Sequence, residues 1–244
     1  TGRAKWEKWN RNWRSLQRAS WADRWNSNYF VYLQFEIEKC NQLQKSIPGR
    51  KYMDIRRDFY LEKLIKRKNN GLIKVITGIR RCGKSYLLNN IFYHHLLDSG
   101  VEADHIIRFA FDSADDLYLI GESLIQIEKE KRGADPEKFM AYIRSKTTGE
   151  GIYYLLLDEI QMLDCFEAVL NGYLRKENID VFVTGSNAKL LSKDIATEFA
   201  GRGDEIHMYP LSFAEFMSVY NGDKYTGLSE YMLYGGIPLV VLRD

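Results

Sequence analysis

The eight residues Gly78-Ile79-Arg80-Arg81-Cys82-Gly83-Lys84-Ser85 constrain this chain more than any other stretch, because they fit G-x-x-x-x-G-K-[ST] without a mismatch. That pattern carries meaning only between a strand and a helix. The run Leu72-Ile73-Lys74-Val75-Ile76-Thr77 before it is rich in β-branched residues and predicts a buried strand; Tyr86-Leu87-Leu88-Asn89-Asn90-Ile91-Phe92 after it has helical spacing of apolar residues. The residue types are those a phosphate-binding loop needs. Gly78 and Gly83 let the backbone curl so that successive N–H groups face phosphate oxygens, and the helix that follows offers its positive end to the anion. Lys84 is placed to reach β- and γ-phosphates and Ser85 to coordinate Mg²⁺, with Ile79, Arg80, Arg81, Cys82 and Tyr86 completing the nucleotide-binding stretch.

A second chemical element is Tyr153-Tyr154-Leu155-Leu156-Leu157-Asp158-Glu159, an apolar run closed by two acids. A strand apolar on successive residues is buried on both faces of a parallel sheet, and ligands gather at the carboxyl ends of such strands. Asp158 is therefore expected beside the phosphate loop, where it could hold Mg²⁺ with Ser85. Glu159, expected on the opposite side of the strand, could polarise an attacking water. Read alone, the two acids could equally cap a strand. A further strand, Asn178 to Thr184, leads to Gly185-Ser186-Asn187, where Asn187 is either a γ-phosphate sensor or an ordinary helix cap. Arg202, in the turn Gly201-Arg202-Gly203-Asp204 before a short fifth strand Glu205-Ile206-His207-Met208, is suited to neutralise a phosphate or to do nothing.

The rest of the chain fits an alternating α/β order. An amphipathic helix is predicted over Asp54 to Lys68, ended by Asn69-Asn70-Gly71. The loop helix should run to about Leu97, followed by a strand from Ile106 to Phe111 that ends at Asp112 and helices over Leu119–Arg132 and Pro136–Ser145. Pro210-Leu211-Ser212 opens a helix through Phe213 and Phe216.

Charge and cysteine usage narrow the setting. The 35 basic and 33 acidic residues leave a net charge of +2, so nucleic-acid binding would have to come from local clusters. Cys40, Cys82 and Cys165 form no CxxC pair and offer no zinc site, which fits a reducing cytoplasm. Cys82, beside Lys84 and a helix N-terminus, is either a thiol of lowered pKa or a small filler. No apolar run approaches the roughly 18 residues of a membrane span, so no membrane partner is expected. All five Trp residues lie in residues 1–50, a basic stretch that could be helical, with an aromatic face packed on the neighbouring domain, or disordered.

Taken together, the phosphate loop, Leu157-Asp158-Glu159-Ile160-Gln161, Thr184-Gly185-Ser186-Asn187, Gly201-Arg202 with Tyr209-Pro210-Leu211-Ser212-Phe213, and Tyr234-Gly235-Gly236-Ile237-Pro238 resemble one family. It is the prokaryotic AAA-type ATPases that usually carry a winged-helix segment and a nuclease-like C-terminal domain. The resemblance runs from about Ile55 to Pro238. It implies a three-layer P-loop NTPase of AAA/ASCE type, α/β with a parallel sheet of order 5-1-4-3-2. The N-terminal extension, helical or disordered and Trp-rich over 1–50, has no counterpart in that family; the division expected for the rest is an ATPase core over 51–210 and the start of a helical lid over 211–244, the chain reading as truncated after the core. It also implies binding and hydrolysis of ATP with Mg²⁺ to drive conformational change in an attached or partner domain. Lys84 and Ser85 would then meet the phosphates, Asp158 the metal, Glu159 would be the base, Asn187 the sensor and Arg202 an arginine finger that acts through self-association. Two other readings stay open: a nucleotide-gated module that binds DNA or protein with little turnover, and a P-loop kinase. A GTPase is disfavoured because no N-K-x-D base-reading motif is present.

Overall fold

The computed structural model describes residues 55–185 and 201–241. Helix α1 (Asp58–Arg67) leads into β1 (Ile73–Gly78) and the phosphate loop. Helix α2 follows as three consecutive stretches, Lys84–Tyr86, the π-helical Leu87–Phe92, and Tyr93–Asp98. Then come β2 (Ile106–Ala110), α3 (Ala114–Leu119), α4 (Leu124–Glu130), α5 (Pro136–Lys146), β3 (Tyr153–Asp158), α6 (Phe166–Tyr173) and β4 (Ile179–Thr184). After residue 200 the chain forms β5 (Gly203–Met208), α7 (Phe213–Met217), α8 (Lys224–Tyr234) and α9 (Pro238–Val241). Residues 1–54 and the sensor candidate Asn187 lie outside the described residues.

All strand pairs are parallel and the order is β2-β3-β4-β1-β5, the order the family resemblance implies, read from the other edge. Successive residues feed opposite faces of the sheet. Ile73, Val75, Leu155, Leu157, Val181 and Val183 pack with the helices α3 to α6, while Ile76, Tyr154, Leu156, Phe182 and Ile206 pack with α1 and α2. This double burial makes three layers, and each fully buried Leu or Phe contributes on the order of 1.5–3 kcal/mol before entropy is subtracted.

Lys74 is the polar exception in a buried strand. It is fully buried, pairs with Asp180 on β4 and lies over the Phe182 ring, and its Nζ donates to Leu72 O at 2.7 Å. Burial lowers its pKa more than Asp180 raises it. The ion pair sits at the amino ends of the strands, away from the phosphate loop, and belongs to the fold.

The expected helix over 119–132 is instead two. Ser113 caps α3 by accepting from Asp116 N, and Gly121, at φ 69°, breaks the chain before α4 begins at Leu124. Leu119 ends a helix where apolar spacing alone predicted the start of one. Beyond β5, α7 opens with a capping box between Ser212 and Glu215. Gly236 is required for close packing there, since a Cβ on it would lie 2.1 Å from Leu211 O. Among the described residues no helix is long and apolar enough to cross a membrane.

Candidate functional site

Strand β1 delivers Gly78 to the carboxyl edge of the sheet, where a Cβ on it would sit 2.2 Å from Met208 O of β5. Only glycine allows the two backbones to approach so closely. Arg81 takes the left-handed conformation at φ 68°, unusual for a residue with a side chain, and Gly83 follows at φ 101°. The chain then enters α2 at Lys84. Its side chain is buried, and its Nζ donates to Gly78 O at 3.0 Å and Ile79 O at 3.1 Å. The loop is thus closed on its own lysine. Arg80, Arg81 and Ser85 are exposed, and Tyr86 is 37% exposed. Cys82 is fully buried and burial pushes its thiol pKa up, with Lys84 and then Arg57 opposing. It is the small filler of the two expected alternatives; loss of solvent outweighs the nearby cations.

Asp158 is the last residue of β3 and is 5% exposed. Three side chains converge on it. Ser85 Oγ donates to Oδ1 at 3.1 Å, Asn89 Nδ2 donates to Oδ2 at 3.3 Å, and the Thr184 hydroxyl donates to Oδ1. The π-helical stretch of α2 carries Asn89, and π-helical turns recur at functional positions. Ser85, exposed at the mouth of the loop, and the buried Asp158 beneath it supply two hard oxygens, a donor set that fits Mg²⁺, an ion that keeps several of its waters.

Glu159 does not continue the strand to its opposite side, as alternation predicted. The strand ends at Asp158, and Glu159 turns left-handed at φ 51° into the short 3₁₀ turn Ile160–Met162. Its N–H donates to Thr184 Oγ1 at 3.2 Å, and its carboxylate accepts a hydrogen bond from Gln161. Thr184 therefore bridges both acids with one hydroxyl, donating to one and accepting from the backbone of the other. Asp112, just beyond β2, joins this acidic edge. The cleft strips water from its carboxyl, Asp158 and Glu159 repel its charge, and its pKa is pushed up to about 6 although the residue surface is open.

Gly78 through Ser85, Asp158 and Glu159 thus meet at one edge. Arg202 does not join them. Its carbonyl accepts from Ile73 N at 2.9 Å and its Nη1 donates to Asn171 Oδ1 at 3.2 Å, at the amino end of the sheet. Gly203 pairs with Ile73 and Met208 with Gly78, so six residue steps, about 20 Å at ~3.3 Å per residue, separate Arg202 from the level of the loop. Sequence reasoning missed Thr184, Asn89, Asp112 and Arg57. A polar residue closing a mostly apolar strand was the available signal for Thr184 and for Asp112; Asn89 and Arg57 gave none. Arg57 closes one side of the loop, and a cavity of about 840 Å³ lies beside it, lined in part by Phe59, Tyr60, Tyr209 and Glu215.

A parallel α/β sheet that carries a glycine-bounded loop, an invading lysine and an acid at the next strand's end defines the P-loop NTPase fold. Residues 70–217 match the family described as AAA domain, and the chain belongs to that family. It is 37% identical over 196 residues to an uncharacterised protein of Haemophilus influenzae, covering 78% of this chain and 45% of that one. It is also 32% identical over 208 residues to an uncharacterised protein of Methanocaldococcus jannaschii, covering 78% and 40%. The chain spans less than half the length of these relatives. Among solved structures it is similar to AMPPCP-bound DnaA from Aquifex aeolicus, at TM-score 0.47 and 13% identity over 74% of this chain and 56% of that one, a likeness too remote to bear on function.

Proposed function

We propose that this chain binds ATP with Mg²⁺ and hydrolyses it, using the cycle to move an attached or partner domain. The observation that carries the reading is the convergence of Ser85, Asn89 and Thr184 on the buried Asp158 beside the loop closed by Lys84. In this reading the loop N–H groups and Lys84 hold the phosphates, while Ser85 and Asp158 hold Mg²⁺, which would neutralise charge on the β- and γ-phosphates. Glu159 orients the attacking water and accepts its proton.

Arg202 lies before β5, at the end of the sheet away from this chain's own phosphate loop, so an arginine-finger role requires a second copy whose loop faces it. Asn187 keeps its proposed role as sensor. The test is Mg²⁺-dependent ATP hydrolysis by the chain beside Glu159→Gln, over a wide range of protein concentration. Turnover in the parent with binding but no turnover in Glu159→Gln supports the assignment, and activity rising faster than linearly supports Arg202 in trans. Equal turnover in the two proteins removes Glu159 from the mechanism.

One observation favours the second reading, a nucleotide-gated module for a DNA or protein partner with little turnover. The Gln161 amide holds the Glu159 carboxylate in place, and a base so held is withheld from water until something draws it away. Stimulation of ATP turnover by a DNA or protein partner, with low turnover alone, would distinguish this reading from the first.

A further inference from the structure

Arg57 has no part in the phosphate chemistry above, yet it is the most connected buried cation near the loop. It is 3% exposed. Its Nη1 donates to Cys82 O of the phosphate loop at 3.4 Å, and its Nη2 donates to Tyr209 O, just past β5, at 2.7 Å. Its Nε lies 3.1 Å from Glu215 Oε1 on α7. The guanidinium also lies over the Tyr60 ring at 4.7 Å, and the Tyr60 hydroxyl accepts from Tyr209 N at 3.0 Å. Three pieces of the chain, distant in sequence, therefore meet on one planar group.

We propose that Arg57 is a positioning residue that ties the state of the phosphate loop to the placement of the carboxy-terminal helices α7 to α9. The inference rests on the reading of the loop as a nucleotide site. A buried ion pair is often no more stabilising than apolar side chains of the same volume, so burial of a guanidinium here points to its particular bonds. Those bonds are unequal. The contact to Cys82 O is the longest, and Nε lacks a well-aligned hydrogen bond although Glu215 is at ion-pair distance. The group is therefore under-satisfied on its loop and helix sides and firmly held at Tyr209.

Filling the loop supplies the change to be transmitted. Lys84 must leave Gly78 O and Ile79 O to meet phosphate, and Cys82 is only two residues before it. A turn of the Cys82 carbonyl moves the guanidinium, and the rigid fork carries that movement to Glu215. Glu215 in turn sets the start of α7, because its Oε2 accepts from Ser212 N at 2.8 Å. The helices beyond are clasped to the same place: Leu211 N donates to Gly236 O at 2.7 Å, and the Tyr231 hydroxyl donates to Leu211 O at 2.7 Å. Pro238 comes back to the loop, where a Cβ on Gly83 would lie 3.9 Å from Pro238 Cγ.

The experiment uses the full chain, with Mg²⁺ and a non-hydrolysable ATP analogue as the probe, and reads nucleotide affinity beside amide exchange over residues 212–234. In the parent protein, nucleotide should slow exchange in this segment by about tenfold or more. In Arg57→Lys and in Glu215→Gln, affinity should stay within about fivefold while the slowing falls below about twofold, because a lysine has one nitrogen where the rigid guanidinium fork presents three separated ones, and a neutral amide cannot follow the charge. Glu215→Gln preserves volume and an acceptor for Ser212, so it decides the matter if Arg57→Lys fails to fold. The proposal is overturned if either folded variant shows the parent's slowing, or if both are less stable with the nucleotide response intact, the signature of a merely structural arginine. A parent protein that binds nucleotide without slowing exchange at 212–234 overturns the coupling alone. A parent that binds no nucleotide overturns the reading of the loop, and the coupling with it.

Discussion

Removal of the Thr184 hydroxyl is the sharpest test of how the acidic edge is built. Thr184 is fully buried, donates to the Asp158 carboxylate and accepts from Glu159 N–H at 3.2 Å. Thr184→Val keeps the shape and the β-branch of the side chain but removes both interactions. A hydrogen bond to a charged group is worth about 1.5–3 kcal/mol net, and a buried N–H left without a partner costs about 1–3 kcal/mol. Asp158 retains Ser85 and Asn89, so the two terms do not sum fully, and a loss of about 2–4 kcal/mol is expected. Thr184→Ser keeps the hydroxyl and loses one methyl, for which about 1 kcal/mol is expected. At a urea slope of about 2 kcal/mol/M the Val variant should unfold roughly 1–2 M earlier than the parent and the Ser variant about 0.5 M earlier. ATP turnover should follow the same ranking, with a fall of about 10- to 100-fold in Thr184→Val. If the two variants lose the same stability, within about 0.5 kcal/mol, packing of the methyl explains the position and the hydroxyl bridge is idle.

Lys84→Ala should abolish nucleotide binding in a calorimetric titration, and an unchanged affinity would remove the loop from the site. Arg81→Gly should raise stability by about 0.5–1 kcal/mol, read as a later urea midpoint, because glycine adopts φ 68° without the steric cost that arginine bears there. If Arg81 also contacts phosphate, the same variant should bind nucleotide more weakly, so the two readouts should move in opposite senses. Asp112 gives a pH dependence of defined sign. Its folded pKa of about 6 lies above the ordinary carboxyl value of 3.8, so between these values the folded chain binds the extra proton and this group's contribution to stability falls as pH rises. Asp112→Asn should flatten that fall between pH 4 and 6 and leave the variant more stable than the parent at pH 7; parallel stability curves for the two proteins would refute the assignment.

The phosphate loop and Asp158 were legible because each is fixed by local sequence. A glycine-bounded loop between a strand and a helix, and an acid that closes an apolar strand, place themselves once the sheet is parallel. Strand order was another matter, supplied by the family resemblance and not by spacing. Thr184 reads as the last β-branched residue of a strand, and only the register Leu157 to Val183 between β3 and β4 sets its hydroxyl beside Asp158. For Glu159, alternation was carried one residue too far, past the point where the strand ends and the backbone turns left-handed. Arg57 looked like one more cation on an amphipathic helix, and nothing short of the tertiary structure brings the Cys82 and Tyr209 carbonyls to it. The single helix expected over 119–132 failed for a local reason, the conformational break at Gly121.

The fold of Lys84 onto Gly78 O and Ile79 O changes what sort of event ligand capture is. A vacant anion hole with a free cation would be an attractor for any small anion. Here the cation already has two ligands of its own, so an incoming group enters a competition and must outbid a pair of carbonyl dipoles before any gain is realised. A lone monovalent anion offers one charge for that exchange, whereas a polyphosphate brings several charged oxygens at once. Under the proposed function, discrimination between salt and nucleotide would begin before recognition of a base, in the side chain that doubles as the plug.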